Sequence, residues 1–323
     1  MNSPVLVAAM RGARIVAVTL LGLALPLPGA AQAPPEMVAA RVSASGWYVQ
    51  GQSAQGSGAN QNFISNAGFI VTKQGVVVID ALGSPQLAHR LMAEIRKVTP
   101  LPVTHVIVTH YHADHIYGLQ TFKAQGARVI AHRAARDYLV SDTARLRMEA
   151  SRKDLAPWID DKTRLVEADE WLDGDRELLL GGVRIRILHL GPAHTPEDLV
   201  VYLPEEKLLF AGDLVFRARI PFVGQADSRR WIQSLDKLLA LDATTFVPGH
   251  GPVSKAVRDD VRLTRDYLVH LRAVMGTAAK NLDPFEEAYA VADWTRFENL
   301  PLFRVVNRMN AYNTYLLMEQ ESK

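Results

Sequence analysis

Three of the chain's ten histidines fall within six residues, His110-Tyr111-His112-Ala113-Asp114-His115. Imidazoles packed this closely make poor core material and repel one another once protonated. A chain that carries them must fold so that something holds them. The cluster leaves the end of "VTHVIVTH", Val103 to His110, a valine-rich apolar run that reads as a buried strand. At a strand end, residues i and i+2 point the same way. His110 and His112 can therefore grip one ion from one side, while Asp114 and His115, past the turn, can grip a second. By chance such a pattern arises in roughly one chain in a few thousand of this length.

Three more candidates sit at strand-to-loop junctions. They are His194 in "GPAHTPED", Asp213 in "LLFAGD" and His250 in "FVPGHG". Glycine and proline around each allow unusual backbone and close approach. Singly, each has a plainer reading: an Asp after Gly is usually a turn residue, and a lone His usually caps or faces solvent. In open α/β sheets, however, sites gather at the carboxyl ends of strands, and all four segments obey that rule. We therefore read them as one site. His89, His105, His132 and His270 lack this setting and read as structural or surface residues. Tyr111, Tyr117 and His189 lie close in sequence to the candidates and are expected to line the pocket, although His189 also admits the structural reading.

Composition narrows the chemistry. The chain has no cysteine, which excludes disulfides, thiolate nucleophiles and iron–sulfur sites and leaves His, Asp and Glu as ligands. Net charge is +2, with no run of five basic residues, so nucleic acid is not an expected partner. At the N-terminus, Arg11 and Arg14 precede an apolar run of 11 residues, Ile15 to Leu25. Gly29-x-Ala31 and Ala31-x-Ala33 follow at signal-peptidase spacing. Residues 1–31 read as a signal peptide cleaved near Ala31 or Ala33, leaving no membrane anchor and a periplasmic protein.

Residues 32–45, rich in Ala and Pro, read as a flexible lead-in. Gly51–Asn60 reads as a loop or flap. A hairpin is expected around Lys73-Gln74-Gly75, then a helix from Ser84 to Val98 with Ser84 as N-cap and Pro85 at its first position. "IYGLQTFKAQG" reads as one helix closed by Gly126, "ARVIAH" as a strand, and 137–165 as a polar helical insertion. Hairpins around Gly181-Gly182 and Pro204-Glu205, an amphipathic helix carrying Trp231 and Leu235, and a strand "TTFVPGHG" complete a region 46–255. Residues 256–323 read as helices packed on the same domain. The halves look alike, each a sheet followed by helices. The expected class is α/β, a four-layer αββα sandwich.

"HYHADH", "GPAHTPED", "AGD" and "PGHG", together with Asp80 in "VVVIDA", resemble the five signature motifs of the metallo-β-lactamase superfamily, over residues 60 to 255. The resemblance implies that His110, His112 and His194 bind one metal, that Asp114, His115 and His250 bind a second, and that Asp213 bridges them. It implies that Asp80 orients a ligand histidine. The missing cysteine departs from class B1 β-lactamases, and Asp213 departs from class B3. The set is most similar to binuclear hydrolases of the glyoxalase II type. "GDLVFRARIPFVGQADSRRWIQSLDKLLAL" also resembles exported hydrolases associated with sulfur-oxidation and quinoprotein-dehydrogenase operons.

The implied cofactors are two Zn2+, with iron or a mixed pair as the alternative. The implied chemistry is attack by a metal-bridging hydroxide on a carbonyl carbon, with Asp114 available as proton acceptor. Two divalent ions and a hydroxide against two carboxylates leave the centre net positive by one charge. A carbonyl-containing or anionic small molecule is the expected partner, and no oligomer is assigned. The expected function is an exported dinuclear zinc hydrolase of a thioester, lactone or related ester or amide. The alternatives are β-lactam hydrolysis, a mononuclear iron oxygenase resembling persulfide dioxygenases (with His110, His194 and Asp213 as ligands), and a non-catalytic metal-binding accessory protein.

Overall fold

The runs of β-branched residues on either side of Lys73-Gln74 form the expected hairpin, and the rest of a sheet is built outward from it. In the computed structural model, which describes residues 34–224 and 226–321, β1 (Ala40–Arg41), β2 (Gly46–Val49), β3 (Ala67–Thr72) and β4 (Gly75–Ile79) make an antiparallel meander. The signal peptide expected at 1–31 lies outside the described residues. Helix α1 (Pro85–Val98) carries the chain to β5 (Val103–Ile107), parallel to β4. Helices α2 (Ala113–Ile116) and α3 (Leu119–Ala124) carry it to β6 (Arg128–His132), parallel to β5. Helices α4 (Ala135–Leu139) and α5 (Asp142–Asp154) precede β7 (Glu170–Leu172), which closes a seven-stranded sheet in chain order.

The second sheet begins with the hairpin of β8 (Arg176–Leu180) and β9 (Val183–His189). It continues antiparallel through β10 (Leu199–Leu203), a 3-10 turn, and β11 (Leu208–Phe216). Helix α6 (Ser228–Leu239) then crosses over to β12 (Thr245–His250), parallel to β11. Helices α7 (Val257–Asn281), α8 (Phe285–Val291) and α9 (Phe303–Glu321) follow.

Alternation along the strands sorts the core into layers. From β4, Val77 and Ile79 face Ile187, Val201, Phe210 and Val247 of the other sheet. Val76 and Val78 face outward, against Leu87, Leu91 and Ile95 of α1 and Phe122 of α3. On the far side, Val200, Leu209 and Ala211 pack against Trp231 and Leu235 of α6 and Leu268 and Leu271 of α7. The result is the four-layer αββα sandwich. A strand covered on both faces must be apolar on both, and β4, β10 and β11 are buried at every position.

Three local expectations change. The lead-in is not loose from residue 34 onward. Met37 is buried in the helix-side core, the Ala39 N–H donates to Glu94 Oε2 at 3.2 Å, and Arg90 donates to the Pro35 carbonyl. The helix expected over 116–126 is broken at Gly118, where a Cβ would overlap the Ala81 carbonyl oxygen. The insertion 137–165 finds its partner through Met148, Leu155 and Ile159, which enter the helix-side core of the first sheet.

Candidate metal centre

Six of the seven candidate donors lie at or past strand ends, whereas Asp213, expected at a strand-to-loop junction, lies inside a strand that runs on to Phe216. His110 lies three residues past β5, and Asp114 and His115 are in α2. His194 is held in the loop after β9, Asp213 lies within β11, and His250 is the last residue of β12. The His194 loop is closed by Asp198, whose carboxylate accepts from the Thr195 N–H at 2.7 Å and the Thr195 hydroxyl at 2.9 Å. Gly249 lets β12 pass so close to β11 that any Cβ there would overlap Asp213 Oδ1. Gly212, at φ +52, sets the turn of backbone that presents Asp213.

Two groups of donor atoms result: His110, His112, His194 and Asp213, and Asp114, His115 and His250. In the first, His194 Nε2 is 2.9 Å from His112 Nδ1 and 3.4 Å from Asp213 Oδ2, and His110 Nε2 is 3.7 Å from that same oxygen. In the second, His115 Nε2 is 3.5 Å from Asp114 Oδ2, and His250 Nε2 is 3.2 Å from it. Asp213 reaches this group too, with Oδ1 3.3 Å from His115 Nε2 and Oδ2 3.3 Å from His250 Nε2. Donors bound about 2.1 Å from a tetrahedral ion stand about 3.4 Å from one another. The observed separations scatter around that edge.

Hydrogen bonding points the same atoms inward. The Ile64 carbonyl can only accept, so His250 Nδ1, 2.7 Å away, carries the proton and Nε2 turns to the centre. Asp80 does this for His115, with Oδ2 2.8 Å from His115 Nδ1. Its carboxylate also accepts from the Thr109 N–H and hydroxyl, both at 2.8 Å. The Thr109 hydroxyl oxygen is then left to accept from His110 Nδ1 at 3.1 Å. Thus one carboxylate sets the tautomers of two histidines. Asp80 itself sits at φ +62, a backbone conformation held by its surroundings. At the centre, His110 Nε2, His115 Nε2 and Asp213 Oδ1 are buried without a hydrogen-bond partner. Such atoms are costly to leave unsatisfied, and cations held by the two donor groups would satisfy all three. The residues present fit a metal.

The model of the metallo-β-lactamase superfamily matches residues 61–250, more than half of the chain and inclusive of all seven donors. The chain belongs to the metallo-β-lactamase superfamily. Among relatives, a linear primary-alkylsulfatase of Pseudomonas sp. (strain ATCC 19151) is 25% identical over 239 residues, 62% of this chain and 45% of that protein. A metallo-β-lactamase type 2 of Bacillus cereus is 29% identical over 194 residues, 58% of this chain and 68% of that one. This chain thus spans under half the length of the alkylsulfatase. Among solved structures, an inverting sec-alkylsulfatase from Pseudomonas sp. shares the fold at a TM-score of 0.65 and 18% identity, over 87% of this chain and 50% of that one. A metallo-β-lactamase from Pontibacter korlensis does so at 0.59 and 22%, over 72% and 99%. The fold is that of this superfamily, whose relatives named here are a β-lactamase and an alkylsulfatase.

Electrostatics divide this superfamily site in two. Burial, reinforced by neighbouring histidines, holds His110 and His112 well below the usual imidazole value, and burial pushes His194 down to about 4. Burial acts the same way on His115 and His250, but the carboxylates, Asp213 foremost, outweigh it and raise both. Burial would raise Asp114 and Asp213. The histidines around them win, and both lie below the usual carboxylate range.

Two cavities adjoin the centre, of about 460 and 510 Å3, and both are lined by His112, Arg147 and Phe222. Asp114, Asp213 and His250 line the first, and His194 lines the second. Tyr111 lines the second, its N–H donating to Glu197 Oε1 at 3.1 Å and its hydroxyl to the Val166 carbonyl at 3.2 Å. Tyr117 and His189 line neither. Tyr117 caps α2 and is turned into the helix-side core, its hydroxyl 3.4 Å from Ser151 Oγ. His189 ends β9 stacked on His132, ring centroids 3.7 Å apart, with Nε2 3.0 Å from the Pro196 carbonyl oxygen.

Other cavity residues carry no local signal of a site: Arg219, Arg147, and Leu302, Val305 and Met309 on or just before α9. The loop Gly51–Asn60 does reach the cavity, through Ala54, Gln55 and Gly56. It is pinned by Gln52 N–H to the Phe63 carbonyl (2.9 Å) and by Trp158 Nε1 to the Gly58 carbonyl (2.7 Å).

Proposed function

We propose that this protein is an exported dinuclear zinc hydrolase that opens an acyl bond in a thioester, lactone or related ester or amide. The observation that carries the reading is the position of Asp213, whose two oxygens lie within 3.3 to 3.7 Å of four histidine nitrogens drawn from both donor groups. That position suits a carboxylate shared by two ions. His110, His112 and His194 would hold one ion, Asp114, His115 and His250 the other. Nitrogen and carboxylate donors without thiolate suit zinc, and iron second. A bound zinc pair supplies a water acidified to a pKa of about 7 and a Lewis acid for a carbonyl oxygen.

The chain's own residues do the rest. Asp80, Thr109 and the Ile64 carbonyl keep His110, His115 and His250 in the ligating tautomer. Asp114 is the donor carboxylate with the greater exposure, 16% of its side chain against 4% for Asp213, and it lines the cavity. It is placed to accept a proton from attacking water and pass it to the leaving group. Phe216 and Phe222 line the same cavity.

The test is metal content per chain on protein matured in a periplasm and purified without chelator. Close to two zinc supports the reading. About one iron with little zinc overturns it in favour of an oxygenase, checked by oxygen uptake with persulfides. A substrate panel of thioesters, lactones, nitrocefin and an alkyl sulfate then assigns the bond, since the relatives named above include β-lactamases and alkylsulfatases. Export is tested by N-terminal sequencing of the periplasmic protein, which should begin at Gln32 or Pro34.

A further inference from the structure

We propose that the cavity beside the metal centre binds amphiphilic anions, with Arg219 holding the charged head and the apolar face of α9 holding the tail. The proposal deepens the hydrolase reading and rests on its bound ions for the charge balance, but not on which bond is cleaved.

Arg219 is only 5% exposed and lines the 460 Å3 cavity together with Asp114, Asp213 and His250. Its Nη1 lies 3.1 Å from His250 Nδ1. That contact is not a hydrogen bond, because Nδ1 already gives its proton to the Ile64 carbonyl at 2.7 Å and has no lone pair to offer. What remains is a long contact from Nε to the Ile220 carbonyl, 3.4 Å, and the face of Phe216, 5.6 Å from the guanidinium carbon. Five N–H groups thus have one weak acceptor. Arg217, two residues earlier, turns the other way and is paired with Asp260 at 2.8 Å. Among the described residues no carboxylate pairs with Arg219. Asp213 and Asp114 are the acidic groups whose field it feels, and bound cations claim both. A buried guanidinium beside a net positive centre is costly unless an anion arrives to share it. Arg147 of α5 lines the same cavity and adds a second guanidinium.

The wall beyond is of the opposite character. Leu302, Val305, Val306 and Met309 present hydrocarbon to the cavity, and Val305 and Met309 are left 48% and 39% exposed. Apolar side chains left open at the lip of a cationic cavity favour a ligand with a charged end and a hydrocarbon end. Arginine is suited to the charged end because its planar fork matches a carboxylate or sulfate.

The test uses the zinc-loaded full protein and calorimetric titration with hexanoate, octanoate and decanoate, which contain no bond to hydrolyse. Octyl glucoside serves as the neutral probe. Affinity for the carboxylates is expected to rise roughly two- to fourfold per methylene. Arg219→Gln should weaken decanoate at least roughly tenfold while octyl glucoside binding stays within about twofold of wild type. Met309→Ser should flatten the chain-length series. Metal content is measured on every variant. If Arg219→Gln loses metal through its neighbour His250, Arg147→Gln and Met309→Ser decide instead, by the same two readouts. Decanoate binding equally to wild type and Arg219→Gln would overturn the proposal, because the ions alone would then hold the anion. So would affinity independent of chain length, which would leave the α9 face to another occupant, such as a second copy of the chain. Absence of hydrolysis on every substrate would sink the hydrolase reading and leave this binding result standing.

Discussion

Asp80 Oδ2 lies 2.8 Å from His115 Nδ1, and the same carboxylate fixes Thr109, whose hydroxyl in turn meets His110. One side chain outside the donor set therefore aims a histidine in each of the two groups. Asp80→Asn keeps the shape but places an amide where an acceptor is needed. Zinc affinity should fall about 10- to 100-fold, most at the His115 group, which Asp80 touches directly. Competitive titration against a zinc chelator reads this out, and unchanged affinity would remove Asp80 from the centre's support.

The two groups should respond to pH differently. His110, His112 and His194 have lowered pKa values, so they are neutral at pH 7 and take up an ion without losing protons. His115 and His250 have raised values, so in the empty site they hold protons to higher pH than an ordinary imidazole, and an ion must compete with those protons. Each expelled proton makes affinity fall about tenfold per pH unit below the raised pKa. Acidification from neutral pH should therefore release metal from the Asp114–His115–His250 group first. Zinc retention after dialysis at stepped pH checks this, and simultaneous loss from both groups would contradict it.

Asn66 ties three segments of the site together. Its amide Nδ2 donates to the Pro248 carbonyl at 2.8 Å and the Gly251 carbonyl at 2.7 Å, and its Oδ1 accepts from the Gly51 N–H at 3.1 Å. Asn66→Ala would strand those backbone groups in the interior and should cost about 2–4 kcal/mol. Urea unfolding measures the loss, and amide exchange should rise at 248–251 more than in β4.

Gly249 is a steric requirement, because a methyl there overlaps Asp213 Oδ1 and crowds the Gly212 carbonyl carbon. Gly249→Ala should displace the shared carboxylate and bring zinc content below one per chain. Gly174→Ala is the control, since a methyl at that position meets nothing. A Gly249→Ala protein with full metal content would mean that β11 and β12 part easily.

The donors were legible because each follows an apolar run and is flanked by residues that punctuate backbone, a pattern that survives in one dimension. The layered fold was legible for a similar reason, since strands buried on both faces read as unbroken apolar runs. What was not legible depends on who passes close in space. Gly118 breaks a helix because the Ala81 carbonyl crosses it, which no local pattern announces. Met37 anchors a segment whose composition reads as loose. Tyr117 and His189 are near the donors in sequence but are rotated away, one into the helix layer and one against His132. Arg219 lay in plain view, but an arginine's significance lies in the absence of a carboxylate beside it, which only the folded chain reveals.

The seven donors are divided between the sheets, four following β5 and three arriving with the second sheet. Neither half owns a complete coordination sphere, since one group needs His194 and Asp213 of the second half and the other needs its His250. An ion held there acts as a rivet across the seam between sheets. Retained metal therefore certifies assembly: a molecule whose halves have docked out of register would have no means of keeping it. Metal content measured after refolding would count correctly joined molecules, whatever substrate they go on to meet.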